Sequence, residues 1–411
     1  MKSITTAHTS ATAPFSAESD EAYWRSLREE IMLDPAVVYL NNGSYGPSPK
    51  SVYETVIEHM KLLESQPFYH IGQEFPRRVK ETKRKLGEFV GAEADDMALV
   101  MNLTVGMNMI ARGLDLKEGD EVVMTDQEYG AVNNCWDYLA QRNGFSIKRP
   151  AIPTPPESEG QIVEIIANTL TDNTKVIALS HITTTTELIM PLKAICKLAR
   201  ERGILTAIDG AHAPGMIPID LHDINCDFYA GNCHKWLLSP KGTAFLYVRR
   251  ELHSRLEPLV IGWGLSWDEK RRGETSDLVR LFEALGTRDM SPFIAIGAAV
   301  DFQNAIGKER IADRGRSLAH YVRERVKEIP GAYPLVSPKP ELAGSMISFA
   351  MPTITEQDLM TELWEKYKIQ IIGRPMNARE TRTRVSTHFY NTRDDVDALF
   401  KAIHEVRQGS L

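Results

Sequence analysis

The sequence predicts an α/β fold: a mostly parallel sheet covered by helices on both faces, followed by a smaller α+β unit. Three observations carry this reading. Seven short apolar runs, "ALVMN", "EVVMT", "SIKRPAI", "KVIALSH", "LTAIDG", "DFYAGN" and "TAFLYV", succeed one another between Ala98 and Val248. Helical stretches such as "VGMNMIARGL", "AVNNCWDYLAQRNG" and "MPLKAICKLARERG" separate most of them, and such alternation builds parallel sheets buried on both faces. After about Met290 the alternation stops, and a chain of 411 residues exceeds one small core, so about two domains of roughly 150 residues or more are expected.

Taken in order, residues 1–18 are rich in Ser, Thr and Ala, with neither an apolar signal core nor an Arg-rich amphipathic pattern. They read as a flexible arm. Ser19 or Asp20 then caps the helical stretch "SDEAYWRSLREEI". The irregular "YLNNGSYGPSPKSV" leads into a helix running through about Met60, and "FPRRVKETKRKLGEFVG" is an amphipathic helix ending at Gly91. The strand–helix alternation completes a large unit over residues 19–290. Residues 291–411 form the small unit: helices "FIAIGAAVDFQNAIG" and "ADRGRSLAHYVRERVKEI", strands "MISFAMP" and "TRVSTHFYN", and a closing helix "DDVDALFKAIHEVRQ".

Composition removes several function classes. The hydrophobic and charged fractions, 43% and 25%, are those of an ordinary globular protein, and a net charge of −7 is not a nucleic-acid footprint. No apolar run reaches the ~18 residues of a membrane span. The cysteines Cys135, Cys196, Cys226 and Cys233 contain no CxxC pair, so no disulfide framework and no metal site is signalled. A cytoplasmic protein acting on a small molecule is expected.

Polar residues collect at three strand ends. "VMNLTVGMN" runs from a strand into a helix start, which is either a helix capped by Thr104 or an anion site of backbone N–H groups and the Thr104 hydroxyl. Asp209 ends the apolar strand of "LTAIDGAHAPG"; alone it reads as a helix N-cap, yet a carboxylate there also seeks a cation. Lys235, in "DFYAGNCHKWLLSPKG", lies 26 positions after Asp209 across one further strand. A salt bridge between the two is the simplest account. No GxGxxG and no GxxxxGK[ST] is present, so dinucleotide and P-loop readings lack support.

A phosphate cup, a carboxylate and a lysine at one sheet edge fit pyridoxal 5′-phosphate better than a nucleotide. The lysine forms a Schiff base with the aldehyde, and the carboxylate partners the pyridinium nitrogen. At about 3 Å and an effective dielectric constant near 20, that attraction is roughly 5 kcal/mol.

With these residues in view, the chain resembles the class V aminotransferase family of fold-type I pyridoxal-phosphate enzymes, and within it the isopenicillin N epimerase-like branch. The blocks "YLNNGSYGPSP", "DQEYGAV", "DGAHAPGMIPIDL", "CHKWLLSPKG", "GTRDMSPF" and "RVSTHFYNT" carry the likeness from about Tyr39 to Asn391. The resemblance implies that Lys235 anchors the cofactor and Asp209 partners its ring nitrogen. His212 and Thr183 are placed near the ring oxygen, and Tyr129 stacks on the ring. Thr104, the Val105 backbone, Asn232 and His234 surround the phosphate. It assigns Arg384 to the substrate α-carboxylate, a task suited to a bidentate fork. Asn42, Ser44 and Tyr45 are placed at the substrate entrance. Thr287 is expected to reach the phosphate of a neighbouring subunit, which implies a homodimer with shared sites. Each position has a bland alternative: a core aromatic at Tyr129, a surface ion pair at Arg384, a helix cap at Thr287.

The resemblance implies Cα-carbanion chemistry with three outcomes: epimerisation, C–S lyase-type elimination, or transamination. Cysteine desulfurases accept sulfur on a cysteine downstream of the anchoring lysine. Here the last cysteine, Cys233, precedes Lys235, which speaks against a persulfide relay. A fold retained as a binding module without catalysis is a further class, and the presence of Lys235 argues against it.

Overall fold

The computed structural model describes residues 17–262, 278–352, 356–377 and 380–409. Most of the expected N-terminal arm, residues 1–16, lies outside them. Helix α1 (Ala17–Arg28) and the short strand β1 (Val38–Tyr39) precede two long helices, α2 (Lys50–Ser65) and α3 (Phe75–Val90). Helix α3 stops at Gly91, whose φ of 68° gives the left-handed cap that a side chain resists.

The seven apolar runs all become strands of one sheet: β2 (Met97–Val100), β3 (Glu121–Val123), β4 (Ser146–Lys148), β5 (Thr174–Ser180), β6 (Leu205–Asp209), β7 (Phe228–Asn232) and β8 (Ala244–Val248). Their order across the sheet is β2-β8-β7-β6-β5-β3-β4. Strand β8 runs antiparallel to both neighbours, and the other pairings are parallel. The connecting helices include α4 (Leu103–Gly113), α5 (Gly130–Asn143), α6 (Glu159–Thr169) and α7 (Leu192–Glu201).

Side chains alternate between two cores because successive strand residues face opposite ways. Leu99, Val123, Ile177, Leu179 and Ile208 pack with residues of α3 and α7 on one face. Val100, Val122, Val176, Ala178 and Ala207 pack with α4 and α5 on the other. Both faces are therefore apolar, which is why the runs read as continuous rather than alternating. Burying each such Val, Leu or Ile contributes about 1.5–3 kcal/mol.

Beyond the sheet, α8 (Ser291–Ile306) places Phe293, Ile296 and Val300 in the first of these cores, and α9 (Lys308–Val326) follows. The C-terminal sheet has the antiparallel order β12-β13-β10-β9, from β9 (Tyr333–Pro334), β10 (Met346–Pro352), β12 (Ile372–Asn377) and β13 (Glu380–Ser386). Strand β11 (Ile369–Gln370) pairs in parallel with β1, and helices α10 (Glu356–Tyr367) and α11 (Arg393–Gly409) complete the unit. Residues 19–49, read above with the large unit, touch both. Leu40 is buried among C-terminal residues, while Trp24 and Ile31 pack with Leu238, Phe389 and Tyr390. No described helix is long and apolar enough to cross a membrane.

The segment "NNGSYGP" crosses directly over the lysine loop. A Cβ at Gly46 would lie 1.8 Å from the Lys235 carbonyl oxygen, while the Gly46 amide donates to the His234 carbonyl at 2.9 Å. Backbone lies on backbone there. Gly46→Ala is expected to destabilise the chain by ~1–3 kcal/mol, read as a lower urea midpoint. An unchanged midpoint would contradict this packing.

Candidate active site

Strands β5, β6 and β7 lie side by side and parallel, so Ser180, Asp209 and Asn232 end at one edge of the sheet. Ligands in open α/β sheets bind beyond that edge. Asp209 is buried, and its Oδ1 accepts the Ala211 amide at 2.9 Å. It closes a turn and caps no helix. Burial is the largest influence on its carboxyl, raising the pKa to about 7. The Ala211 hydrogen bond and Lys235 oppose that rise, and Glu128 adds to it. Glu128 is a second buried carboxylate that the sequence reading passed over. Its oxygens accept from Ser180 N and Oγ, at 2.7 and 2.6 Å, and from Thr125 Oγ1 at 2.6 Å.

Lys235 sits in a tight loop closed by Cys233 N to Thr243 O and Ser239 N to Cys233 O, both at 3.0 Å. The Trp236 carbonyl receives Gln303 Nε2 at 2.5 Å and His388 Nε2 at 2.8 Å, and Asn42 Nδ2 reaches the Lys235 carbonyl at 3.4 Å. The main chain is thus fixed while the amine projects onward. Its Nζ lies 3.3 Å from His212 Nε2, and the Trp236 indole N–H donates to His212 Nδ1 at 3.1 Å. Indole nitrogen only donates, so Nδ1 is the accepting nitrogen and a neutral His212 carries its proton on Nε2. That proton points at Lys235, an arrangement that suits a free amine and opposes an ammonium. Electrostatics agrees: burial, then Arg384, lowers the Lys235 pKa to about 8, with Asp209 pulling the other way. Burial also holds His212 well below its ordinary range. The nearest hydrogen-bonding neighbours are Ala211 for Asp209 and His212 for Lys235, so the two do not form a closed salt bridge.

The helix start beside this edge differs in detail from the expectation. Asn102, not Thr104, caps α4, accepting the Val105 amide at 3.0 Å. The Val105 N–H expected in the phosphate cup is therefore already engaged. Asn232 Oδ1 takes the Leu103 amide at 2.9 Å, which ties the end of β7 to the helix. Thr104 is exposed, and its amide has no i−4 carbonyl within the helix, so its amide and hydroxyl are placed to receive an anion. His234 Nδ1 donates to Thr243 O at 3.0 Å, which leaves Nε2 for a ligand.

Tyr129 is 42% exposed at the start of α5 and is no core aromatic. Thr183 is buried. Its hydroxyl accepts the Leu188 amide at 3.1 Å and meets Thr186 Oγ1 at 3.0 Å, so little capacity remains for a ring oxygen. Thr287 is exposed and does not cap α8, whose cap position is Met290.

On the opposite wall, Arg384 of β13 is 6% exposed, which excludes a surface ion pair. Its Nη2 reaches Ser44 Oγ at 3.2 Å and Asn41 Oδ1 at 3.4 Å. Asn42 is fully buried and accepts the Tyr390 hydroxyl at 2.8 Å; it supports the lysine loop from behind and does not line an entrance. Tyr45 is 62% exposed. His388, whose Nδ1 accepts the Phe389 amide at 2.8 Å, is a neutral structural group with its pKa lowered by burial to about 4.

These residues fit pyridoxal 5′-phosphate. A buried carboxyl raised by desolvation suits a ring cation. A lysine lowered by desolvation suits imine formation, and an uncommitted helix-start amide with a hydroxyl suits a phosphate. A separate cavity of about 940 Å³, lined by charges of both signs including Glu88, Lys193, Asp223 and Lys308, contains none of Lys235, Asp209 or Arg384.

Comparison with known proteins places the chain in a family and a fold. The Aminotransferase class-V family profile matches residues 38–399. The isopenicillin N epimerase of Amycolatopsis lactamdurans is 34% identical over 395 residues, covering 93% of this chain and 98% of that protein. The Streptomyces clavuligerus enzyme of the same name is 34% identical over 391 residues, again with 93% and 98% covered. The apo cysteine desulfurase of Thermococcus onnurineus superposes with a TM-score of 0.82 at 22% identity, over 93% of this chain and 98% of that one. That likeness is one of fold.

For Asp209 a folded-state pKa of about 7 stands above the ordinary 3.8, so the folded chain holds the proton more tightly than the unfolded chain. Stability of the cofactor-free protein should therefore fall as pH rises through that window. Asp209→Asn should remove this part of the fall, measured by urea unfolding at a series of pH values. An identical pH profile would contradict the assigned environment.

Proposed function

The chain belongs to the class V aminotransferase family of pyridoxal-phosphate enzymes, and from that premise we propose that it removes the α-proton of an amino acid or cysteine-containing substrate. The outcome is epimerisation or, in the same branch, C–S cleavage. The observation that carries this is the half-buried Lys235 amine in the loop after β7, its pKa lowered to about 8 and its Nζ facing His212.

When bound, pyridoxal phosphate supplies an electron sink for the developing carbanion. The remaining work falls to the chain. Lys235 anchors the cofactor and then serves as the base at Cα, for which a pKa of about 8 leaves a usable fraction of free amine near neutral pH. Asp209 would keep the ring nitrogen protonated, and Tyr129 would stack on the ring. Thr104 and the Nε2 of His234 would hold the phosphate. Arg384, backed by Ser44 and Asn41, receives the substrate carboxylate and fixes which Cα bond faces the base. Epimerisation further requires an acid on the opposite face.

The epimerase likeness at 34% identity favours the first outcome. A persulfide relay is disfavoured on chemistry. No cysteine follows Cys233 in the sequence, and burial raises the thiol pKa of Cys135 to about 11 and of Cys196 to about 12, with Cys226 and Cys233 also raised. Nucleophilic sulfur needs a thiolate, and these are thiols. Transamination is the alternative outcome and would require proton delivery to the cofactor carbon.

The homodimer expected from the resemblance is part of this proposal. Phe68 is 93% exposed, and Tyr69 and Ile71 beside it are also exposed, an apolar patch that a second copy would cover. Light scattering after gel filtration should give the mass of two chains. A monomer at micromolar concentration would contradict it.

A panel of amino acids incubated with the enzyme in deuterated water tests the reaction. Deuterium at Cα with inversion identifies epimerisation, and pyruvate with released sulfur identifies lyase chemistry. A keto acid formed only with an amino acceptor identifies transamination. Absence of Cα exchange across the panel contradicts the proposal.

A further inference from the structure

Glu187 combines two locally unfavourable features. It is a non-glycine residue at a φ of 54°, and its carboxylate is fully buried, with no well-formed hydrogen bond to either oxygen although Ser348 lies near enough to act on it. Either feature is unfavourable by itself, and such residues persist where the surroundings enforce them, often at functional sites. The surroundings here are specific. Glu187 lies on the loop following β5, which Arg382 clamps by donating from Nη1 to Thr185 O at 2.9 Å. Arg382 and Arg384 are two apart on β13 and so share one face, and Ser348 of β10 is the register partner of Arg384. The charged and polar groups that act on Glu187 are Arg384, Ser348 and Arg382, in that order, and Arg384 acts on Lys235 as well. Ser386 Oγ on that face has no hydrogen-bond partner among the described residues.

We propose that Glu187 is a positioning residue that serves as the exchangeable counter-charge of Arg384. In the empty site its carboxylate balances the guanidinium; when a substrate carboxylate docks on Arg384, Glu187 takes one proton from solvent. The proton goes onto a Glu187 carboxyl oxygen, and the ligand's negative charge replaces the one removed, so the charge of the cluster is unchanged. Substrate does not touch Glu187, since its oxygens are closed to solvent. Its effect passes through Arg384. Burial raises the carboxyl to about 7, with Arg384, Ser348 and Arg382 opposing, so the proton is exchangeable near neutral pH. The sign follows: a second negative charge nearby raises that value further, so binding takes up a proton and weakens as pH rises.

This rests on the reading that Arg384 receives the carboxylate. The test is calorimetric titration of the cofactor-loaded enzyme with 3-phenylpropionate, a carboxylate without an amino group, in buffers of different ionisation enthalpy. Wild type should take up a proton, and its affinity should fall by up to about tenfold per pH unit above about pH 7. Glu187→Gln should bind with less than about a twofold change across the same range, near the low-pH affinity of wild type. Retention of the wild-type slope and proton uptake in Glu187→Gln overturns the proposal while leaving Arg384 in place. Binding that Arg384→Gln leaves unweakened overturns it through its premise. If Glu187→Gln does not fold, infrared difference spectra of wild type decide: a protonated carboxyl band gained on binding supports the exchange, and its absence overturns it.

Discussion

The structure depends on one constraint: the half-buried amine of Lys235 is partly desolvated without a salt bridge to hold its charge. Desolvation of an ammonium is expensive, and the usual escape is deprotonation. The Lys235 environment is built for that escape. Trp236 fixes the tautomer of His212 so that an N–H, not a lone pair, faces the amine, and Arg384 adds a like charge. Asp209 is pushed the opposite way, towards its neutral acid, by the same low dielectric. Both groups are thereby shifted towards their uncharged forms, which leaves each ready for a partner that brings its own charge.

Rigidity around the amine comes from backbone contacts. The segment through Gly46, the closed loop from Cys233 to Ser239, and the donors from Gln303 and His388 meet at Lys235 and Trp236 from three parts of the chain. The N-terminal segment and the C-terminal unit therefore contribute to the site by holding the lysine loop, while β13 supplies Arg384 directly. In the proposed reaction a substrate carboxylate would be read from the small unit and the proton handled from the large sheet.

Much of this was legible in the sequence because it rests on local pattern. Strand residues facing two cores must be apolar at consecutive positions, so β2 to β8 announced themselves, as did Asp209 and Lys235 as polar interruptions at strand ends. What stayed hidden depends on partners distant in sequence. Glu128 reads as an ordinary acid before Tyr129 until Ser180 and Thr125 enclose it. Glu187 reads as one polar residue among threonines until β13 brings two arginines to it. The choice of Asn102 over Thr104 as cap turns on a single side-chain geometry, which composition cannot resolve. Strands β1, β9 and β11 were missed because each is two residues long, and β12 because it carries Pro375.

The central claim is that one amine on this chain, that of Lys235, forms the covalent link to pyridoxal phosphate. Borohydride reduction of the cofactor-loaded protein, followed by proteolysis and mass spectrometry, fixes the pyridoxyl group to whichever lysine holds it. The account predicts a single modified peptide containing Lys235. A pyridoxyl group on any other lysine, or none on Lys235 in a protein that binds the cofactor, would contradict it.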